Sequence, residues 1–322
     1  MKKMAIVGPI DGEGKRILRN GLADSFTIVE VASRDDYLAL ADVDAIVLRT
    51  LTITADDMDA MPRLRHIQRW GVGYDSVDVK AAGERGIAVS VAAGTNAHPV
   101  SEYVLLLMLA VLRNLIRVDR NVRAGKWRDP DLLASSYSLA GKTVGLVGFG
   151  NIGRLVANKA VAFGAKIVYH DIHRLDEEER FLSATFLPLE RLAEEADIVS
   201  IHLPLVEATR NLIDAAFLKR MKKTAVLINT ARGGIVDETA LYHALANGEL
   251  LGAGLDVFER EPVDSGNPLL TLDNIVVSSH FGGTTADLSD SMARKCVENV
   301  RIVATGGMLK EPDLVNAVFL RS

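Results

Sequence analysis

Three short segments each place one reactive side chain just after an apolar, β-rich run. They are Asn229-Thr230-Ala231-Arg232-Gly233-Gly234, Phe258-Glu259-Arg260-Glu261-Pro262 and Ser279-His280-Phe281-Gly282-Gly283. Arginine, glutamate and histidine form a workable set for exchanging a proton at an alcohol or carbonyl that sits beside a carboxylate. The imidazole of His280 can take or give the proton, because that ring changes charge near neutral pH. Glu261 can orient the ring and stabilise its protonated form. The planar fork of Arg232 can grip the substrate carboxylate and polarise its carbonyl. No metal is needed for this chemistry. Taken singly, Arg232 between Ala231 and Gly233 reads more readily as a solvated loop cation, and Glu261 before Pro262 can be read as a turn residue. Of the seven histidines, His98 is the one serious rival to His280.

Such chemistry needs a hydride carrier, and the middle of the chain supplies a cradle for one. The apolar run 143–147 leads into Gly148-Phe149-Gly150-Asn151-Ile152-Gly153, and a helical pattern follows. Strand, glycine turn and helix in that order are what a dinucleotide-binding fingerprint requires. Gly148 permits the tight turn, Gly150 lets backbone approach a pyrophosphate, and Gly153 lets the helix pack close on the strand. The pyrophosphate would meet the free N–H groups and positive dipole end of that helix. A second strand, 166–170, ends at Asp171, near the spacing at which an acid meets the adenosine ribose. A carboxylate there accepts from ribose hydroxyls and repels a 2′-phosphate, so the expected cofactor is NAD rather than NADP. His173 and Arg174 lie close enough to complicate that preference.

The elements that must hold these residues alternate along the whole chain. Strands are expected at 4–7, 26–31, 45–48, 66–69 and 88–91, with helical patterns at 14–23, 33–40, 54–61 and 77–85 between them. A long helix opens at Asn96-Ala97-His98-Pro99, and a second series of strands follows at 143–147, 166–170, 198–201, 225–229, 254–257 and 275–278. Alternation of this kind predicts an α/β protein with two doubly wound parallel sheets, both faces covered. The last helix, about 284–303, is expected to return to the first unit. The organisation is then 1–98 plus 284–322 for one discontinuous domain and 99–283 for the dinucleotide domain. The mixed stretch 117–140, which carries Trp127, reads either as a surface loop or as an arm that packs on a partner subunit.

Bulk properties exclude several functions. A net charge of −5 with scattered basic residues gives no nucleic-acid footprint. The single cysteine, Cys296, rules out an internal disulfide framework and fits a reducing cytoplasm. The longest apolar run, 103–112, falls short of the roughly 20 residues of a membrane span and reads as a buried helix.

Together the glycine fingerprint, Asn229 to Glu238, Leu255 to Pro262 and His280-Phe281-Gly282-Gly283 resemble the D-isomer-specific 2-hydroxyacid dehydrogenases. Gly71-Val72-Gly73-Tyr74-Asp75 and Glu298-Asn299-Val300 extend the likeness over essentially the whole chain. The resemblance implies an outer substrate domain, an inner NAD domain of Rossmann type and a cleft between them. It implies Arg232, Glu261 and His280 as the catalytic set, with Val72 and Gly73 as a substrate-carboxylate loop. Its cofactor contacts fall on Asn151, Ile152, Asp171, Pro204, Thr209, Thr230 and Asp256, the last near the nicotinamide amide. His202, Ala231 and Gly282, also at strand ends, complete the candidate cofactor set. Arg49, at the end of the third strand, is a candidate for an extra anionic group on the substrate. A homodimer built around 103–140 is implied as well. The expected substrates are glyoxylate, hydroxypyruvate, pyruvate or 3-phosphohydroxypyruvate.

The chain departs from the pattern at Ser279, where proline is usual, and at Trp70, which either narrows the pocket or packs beneath the carboxylate loop. Formate dehydrogenases of this superfamily carry glutamine in place of Glu261, so that activity is not expected. The alternative reading is an NAD(H)-sensing interaction protein, similar to the transcriptional corepressors that share the fold. Those follow the histidine with an aromatic-rich segment, whereas Gly282-Gly283-Thr284-Thr285 follows here.

Overall fold

The computed structural model describes residues 1–320 and divides into two units, Met1–Asn96 with the chain from Thr284 onward, and Ala97–Gly283. The first unit runs β1 (Lys2–Val7), α1 (Gly12–Leu22), β2 (Phe26–Val31), β3 (Ala45–Leu48), α2 (Ala55–Asp59), β4 (His66–Arg69), α3 (Val79–Glu84) and β5 (Ala88–Ser90). These strands form one sheet of order β2-β1-β3-β4-β5, parallel throughout. That is a doubly wound order of the flavodoxin type. Alternate residues of β1 feed its two faces: Ala5 and Val7 join one apolar core, Met4 and Ile6 the other.

The second unit opens with α4 (Ala97–Leu112), followed by α5 (Leu115–Arg123) and α6 (Asp131–Ser135). Then come β6 (Thr143–Val147), α7 (Asn151–Ala162), β7 (Lys166–His170), α8 (Asp176–Leu182), β8 (Ala184–Phe186), α9 (Leu189–Glu195) and β9 (Ile198–Ile201). It closes with α10 (Ala215–Arg220), β10 (Val226–Asn229), α11 (Glu238–Ala246), β11 (Gly252–Leu255) and β12 (Ile275–Val277). The sheet order is β12-β11-β10-β9-β6-β7-β8, again parallel. The order reverses between β6 and β9, and ligands of such sheets bind beyond the carboxyl ends of the strands at that switch point. Every residue from Val144 to Phe149 is buried, as a strand covered on both faces must be.

α12 (Leu288–Ala304) packs on the first unit, with Leu288, Met292, Cys296 and Val300 in its core beside Met4, Ile6 and Leu18. α4 is apolar on almost every side because it is buried against β10 and β11. No single helix among the described residues is long and apolar enough to cross a membrane.

Four expectations change in detail. The stretch 117–140 is not simply a loop: α5 covers its start and α6 a further turn. The strand expected at 254–257 lies two residues earlier, as Gly252-Ala253-Gly254-Leu255, where a β-carbon on Gly252 or Gly254 would meet Val111 or Leu107 of α4. The helix expected at 33–40 is a 3-10 helix, Arg34–Leu40. Between β7 and α9 the chain adds α8 and β8, which the sequence pattern does not announce.

Candidate active site

The glycine turn after β6 is shaped as its spacing requires. Gly148 has φ +100°, and a side chain there would also strike the His202 carbonyl. A β-carbon on Gly150 would meet nothing, so space stands open above the first turn of α7, whereas one on Gly153 would collide with the Gly148 carbonyl. Phe149 is anchored inward, its ring stacked 4.1 Å from that of Tyr169. Its amide donates to Asp171 Oδ2 at 2.7 Å, which draws the carboxylate at the end of β7 to the rim of the turn. Two polar atoms beside this cradle are buried without a partner: His202 Nε2 after β9 and Thr230 Oγ1 after β10. Burial pushes the His202 ring down to about 3, so it is neutral near pH 7. An open glycine step at a helix N-terminus, an acid at the next strand end and two unspent polar atoms fit a dinucleotide, with a pyrophosphate over α7 and a ribose at Asp171.

The arginine, glutamate and histidine all stand on loops of this second unit. The side chain of Asn229, buried at the end of β10, clamps the turn that carries Arg232. Its Nδ2 donates to the Arg232 carbonyl at 2.9 Å, and its Oδ1 accepts from the Ala231 amide at 3.0 Å. Arg232 Nη1 donates to the Ala231 carbonyl at 2.7 Å. The next residue, Gly233, lies so close to Phe258 that a β-carbon would overlap its carbonyl, which seats the Arg232 loop on the Glu261 loop. Glu238, opening α11, accepts from the Glu259 amide and from Asn267 Nδ2. Asn229 and Glu238 therefore brace the site from behind. The one signal for Asn229 in the sequence is an amide closing an otherwise apolar strand.

His280 meets Glu261 directly, Nδ1 to Oε2 at 2.8 Å. The other carboxylate oxygen accepts from the Phe258 amide at 3.2 Å. Burial is the largest single influence on the Glu261 carboxyl and pushes it up. The His280 hydrogen bond and charge, the Phe258 amide and the Arg232 cation together outweigh that and hold it below the usual carboxylate range. Glu261 is thus an anion at neutral pH, and an anion on Nδ1 fixes the tautomer and leaves Nε2 to exchange a proton.

His280 is a non-glycine residue at φ +54°, a backbone state that its surroundings must enforce. Asp256, buried after β11, does so. Its Oδ1 accepts from Ser278 Oγ (2.6 Å) and the Phe281 amide (2.7 Å), its Oδ2 from the Gly282 amide (2.8 Å), and its carbonyl from the His280 amide (2.7 Å). Asp256 and Gly282, expected among the cofactor contacts, hold each other and the histidine loop. The Thr209 hydroxyl likewise closes its own loop on the Pro204 carbonyl at 2.7 Å. Asn151 and Ile152 open α7; Asn151 Oδ1 takes a hydrogen bond from Arg154, and Ile152 packs on the core.

Val72, Gly73 and Arg49 belong to the first unit. Arg69 reaches the Gly73 carbonyl at 2.9 Å and so braces that loop, and Arg49 donates to the Pro9 carbonyl at 2.9 Å. Trp70 packs on the core of the first unit, its ring beside Gly14 of α1. His98 is exposed in the first turn of α4.

Comparison with known proteins decides the family. The profile of the D-isomer specific 2-hydroxyacid dehydrogenase, NAD binding domain, matches residues 105–282. The chain belongs to the D-isomer-specific 2-hydroxyacid dehydrogenases. A glyoxylate reductase of Korarchaeum cryptofilum is 41% identical over 278 residues, 85% of this chain and 83% of that enzyme. A hydroxypyruvate reductase of Thermotoga maritima is 38% identical over 295 residues, 91% and 95% of the two chains. An NAD-dependent formate dehydrogenase of Staphylococcus aureus, solved in complex with NAD, superposes with a TM-score of 0.88 at 28% identity, covering 97% and 98%. As a member of this family, the protein is an oxidoreductase with NAD as its cofactor, and the interaction-protein alternative is not favoured.

Proposed function

We propose that this dehydrogenase reduces glyoxylate and hydroxypyruvate to the corresponding 2-hydroxyacids, with Arg232, Glu261 and His280 as its catalytic residues. The observation that carries the reading is the 2.8 Å His280–Glu261 pair, within electrostatic reach of Arg232. The amides at the start of α7 and the step over Gly150 would hold the pyrophosphate. Asp171 would accept the adenosine ribose hydroxyls, and Thr230 and His202 would spend their buried polar atoms on the cofactor. Bound nicotinamide supplies the hydride.

Arg232 then grips the substrate carboxylate with two parallel N–H bonds; in the first unit, the Val72–Gly73 loop is the candidate for binding a carboxylate. His280 gives its Nε2 proton to the carbonyl oxygen as that oxygen becomes a hydroxyl. Glu261 keeps the Nδ1 proton in place and stabilises the cationic ring before transfer. The half-exposed ring then recovers a proton from solvent. Arg49 would serve a further anionic group on a larger substrate.

The enzyme would work in the cytoplasm, as a homodimer through 103–140, where Leu115, Ile116, Val122, Trp127 and Leu133 are all exposed. Sedimentation of the purified chain checks the dimer. Consumption of NADH against a panel of 2-oxoacids checks the activity: glyoxylate and hydroxypyruvate should lead. Inactivity across the panel, or a lead for 3-phosphohydroxypyruvate, would overturn the substrate assignment.

A further inference from the structure

The rim of the cradle beyond Asp171 carries two arginines, and acids of α8 engage both. Arg174 stands three residues past Asp171. Its guanidinium meets Glu179 in a two-pronged pair, Nε to Oε1 at 2.8 Å and Nη2 to Oε2 at 2.9 Å, with Asp176 3.2 Å from the same Nε. Arg154, in the first turn of α7, gives Nη1 to Glu178 at 2.6 Å and Nη2 to Asn151 at 2.9 Å. The two sides of the Arg174 pair differ in setting. The arginine side chain is 62% exposed, whereas Glu179 is only 13% exposed. Glu179 is also fixed from below, because its Oε1 accepts from the hydroxyl of the buried Tyr169 at 2.8 Å, and that hydroxyl in turn receives the Leu175 amide at 2.9 Å.

A cation just beyond the ribose acid is the group that accommodates a 2′-phosphate in dinucleotide folds of this type. An exposed arginine in that place would soften the preference for NAD that Asp171 sets. We propose that Glu179 is a specificity-determining residue: by occupying the guanidinium fork of Arg174 it withholds the counter-charge that a 2′-phosphate requires. The preference then has two parts, repulsion by Asp171 and sequestration of Arg174. A bidentate pair braced by a buried tyrosine is a better restraint than an ordinary surface ion pair, which holds its partners loosely. This inference rests on the assignment of Asp171 to the adenosine ribose.

Calorimetric titration with NAD, NADP and adenosine 2′,5′-bisphosphate tests it without reference to turnover. Glu179→Gln keeps an acceptor for Tyr169 and removes the charge, and Glu179→Ala removes both. In an Asp171→Ser background, where repulsion is already gone, either change should tighten NADP and the bisphosphate by about tenfold. Adding Arg174→Ala should abolish that gain. Affinity for NAD should follow Asp171 and ignore Glu179. No gain in a variant that still binds NAD, or a gain that survives loss of Arg174, would overturn the proposal. Failure of the unaltered chain to bind NAD would instead overturn the cradle assignment on which it depends.

Discussion

Each member of the Arg232, Glu261 and His280 set is prepared by a neighbour that does no chemistry itself. Asn229 fixes the backbone at the Ala231 amide and the Arg232 carbonyl and so sets where Arg232 sits. Asp256 holds His280 in a backbone state that histidine rarely adopts. For Arg232→Ala we expect kcat/KM for glyoxylate to fall about a hundredfold or more, chiefly through KM, with NADH affinity unchanged. Arg232→Lys should recover only part of the loss, because an ammonium keeps the charge without the planar fork. Steady-state kinetics with a parallel NADH titration checks both, and an unchanged KM in the alanine variant would count against a carboxylate clamp. The three candidate residues stood out in the sequence because each lies in a short polar segment that follows an apolar run. The braces were not: a polar side chain at a strand end does not declare which loop it will hold. Asp256 is the clearest case, a candidate for touching cofactor whose carboxylate is taken up by the histidine loop.

Loops after β10 and β11 meet at Gly233, and the site depends on that contact. Gly233→Ala would drive a β-carbon into the Phe258 carbonyl, and two buried loops have little room to part. We expect this variant to lose about 3 kcal/mol of stability and most of its activity. Chemical denaturation followed by circular dichroism would detect the loss, and an unchanged midpoint would show that the loops can separate. Strands bounded by turn signals and rich in Val and Ile, such as β2, β6, β7 and β9, were legible to the residue. β11 was displaced because its glycines carry no β signal; they are set by the approach of α4, a tertiary cause. α8 begins with four consecutive acids, Asp176 to Glu179, which hide any apolar stripe, and β8 is a three-residue edge strand. Neither could be read without knowing that Arg154 and Arg174 lie opposite those acids.

Each unit holds one histidine with a buried ring nitrogen that must stay neutral. His66 hydrogen-bonds Ser90 at 2.6 Å within the first sheet, and His202 lies beneath the glycine turn of the second. Burial drives both rings from 6.5 down to about 3. A folded pKa below the unfolded one means that the unfolded chain binds the extra proton. This contribution is therefore complete above pH 6.5 and is lost progressively as pH falls toward 3. Each unit should lose about 1.4 kcal/mol per pH unit in the acidic part of that window. Urea unfolding followed through partly buried Trp70 should report the first unit, and His66→Phe should flatten its slope between pH 6.5 and 5. An unaltered slope would mean that carboxylates, not this ring, govern acid lability. Cys296, buried in the same core with its thiol pushed up by burial, should react with thiol reagents only after that unit opens.

The most direct test of the mechanism is the His280→Ala variant, assayed for reduction of glyoxylate by NADH beside a titration of NADH affinity. Loss of the proton-exchanging ring should lower kcat by about 10²- to 10⁴-fold while NADH binds as tightly as before. A variant that retains turnover within a few-fold of the unaltered enzyme would contradict the assignment, and the proton would have to come from elsewhere, with exposed His98 the first residue to examine.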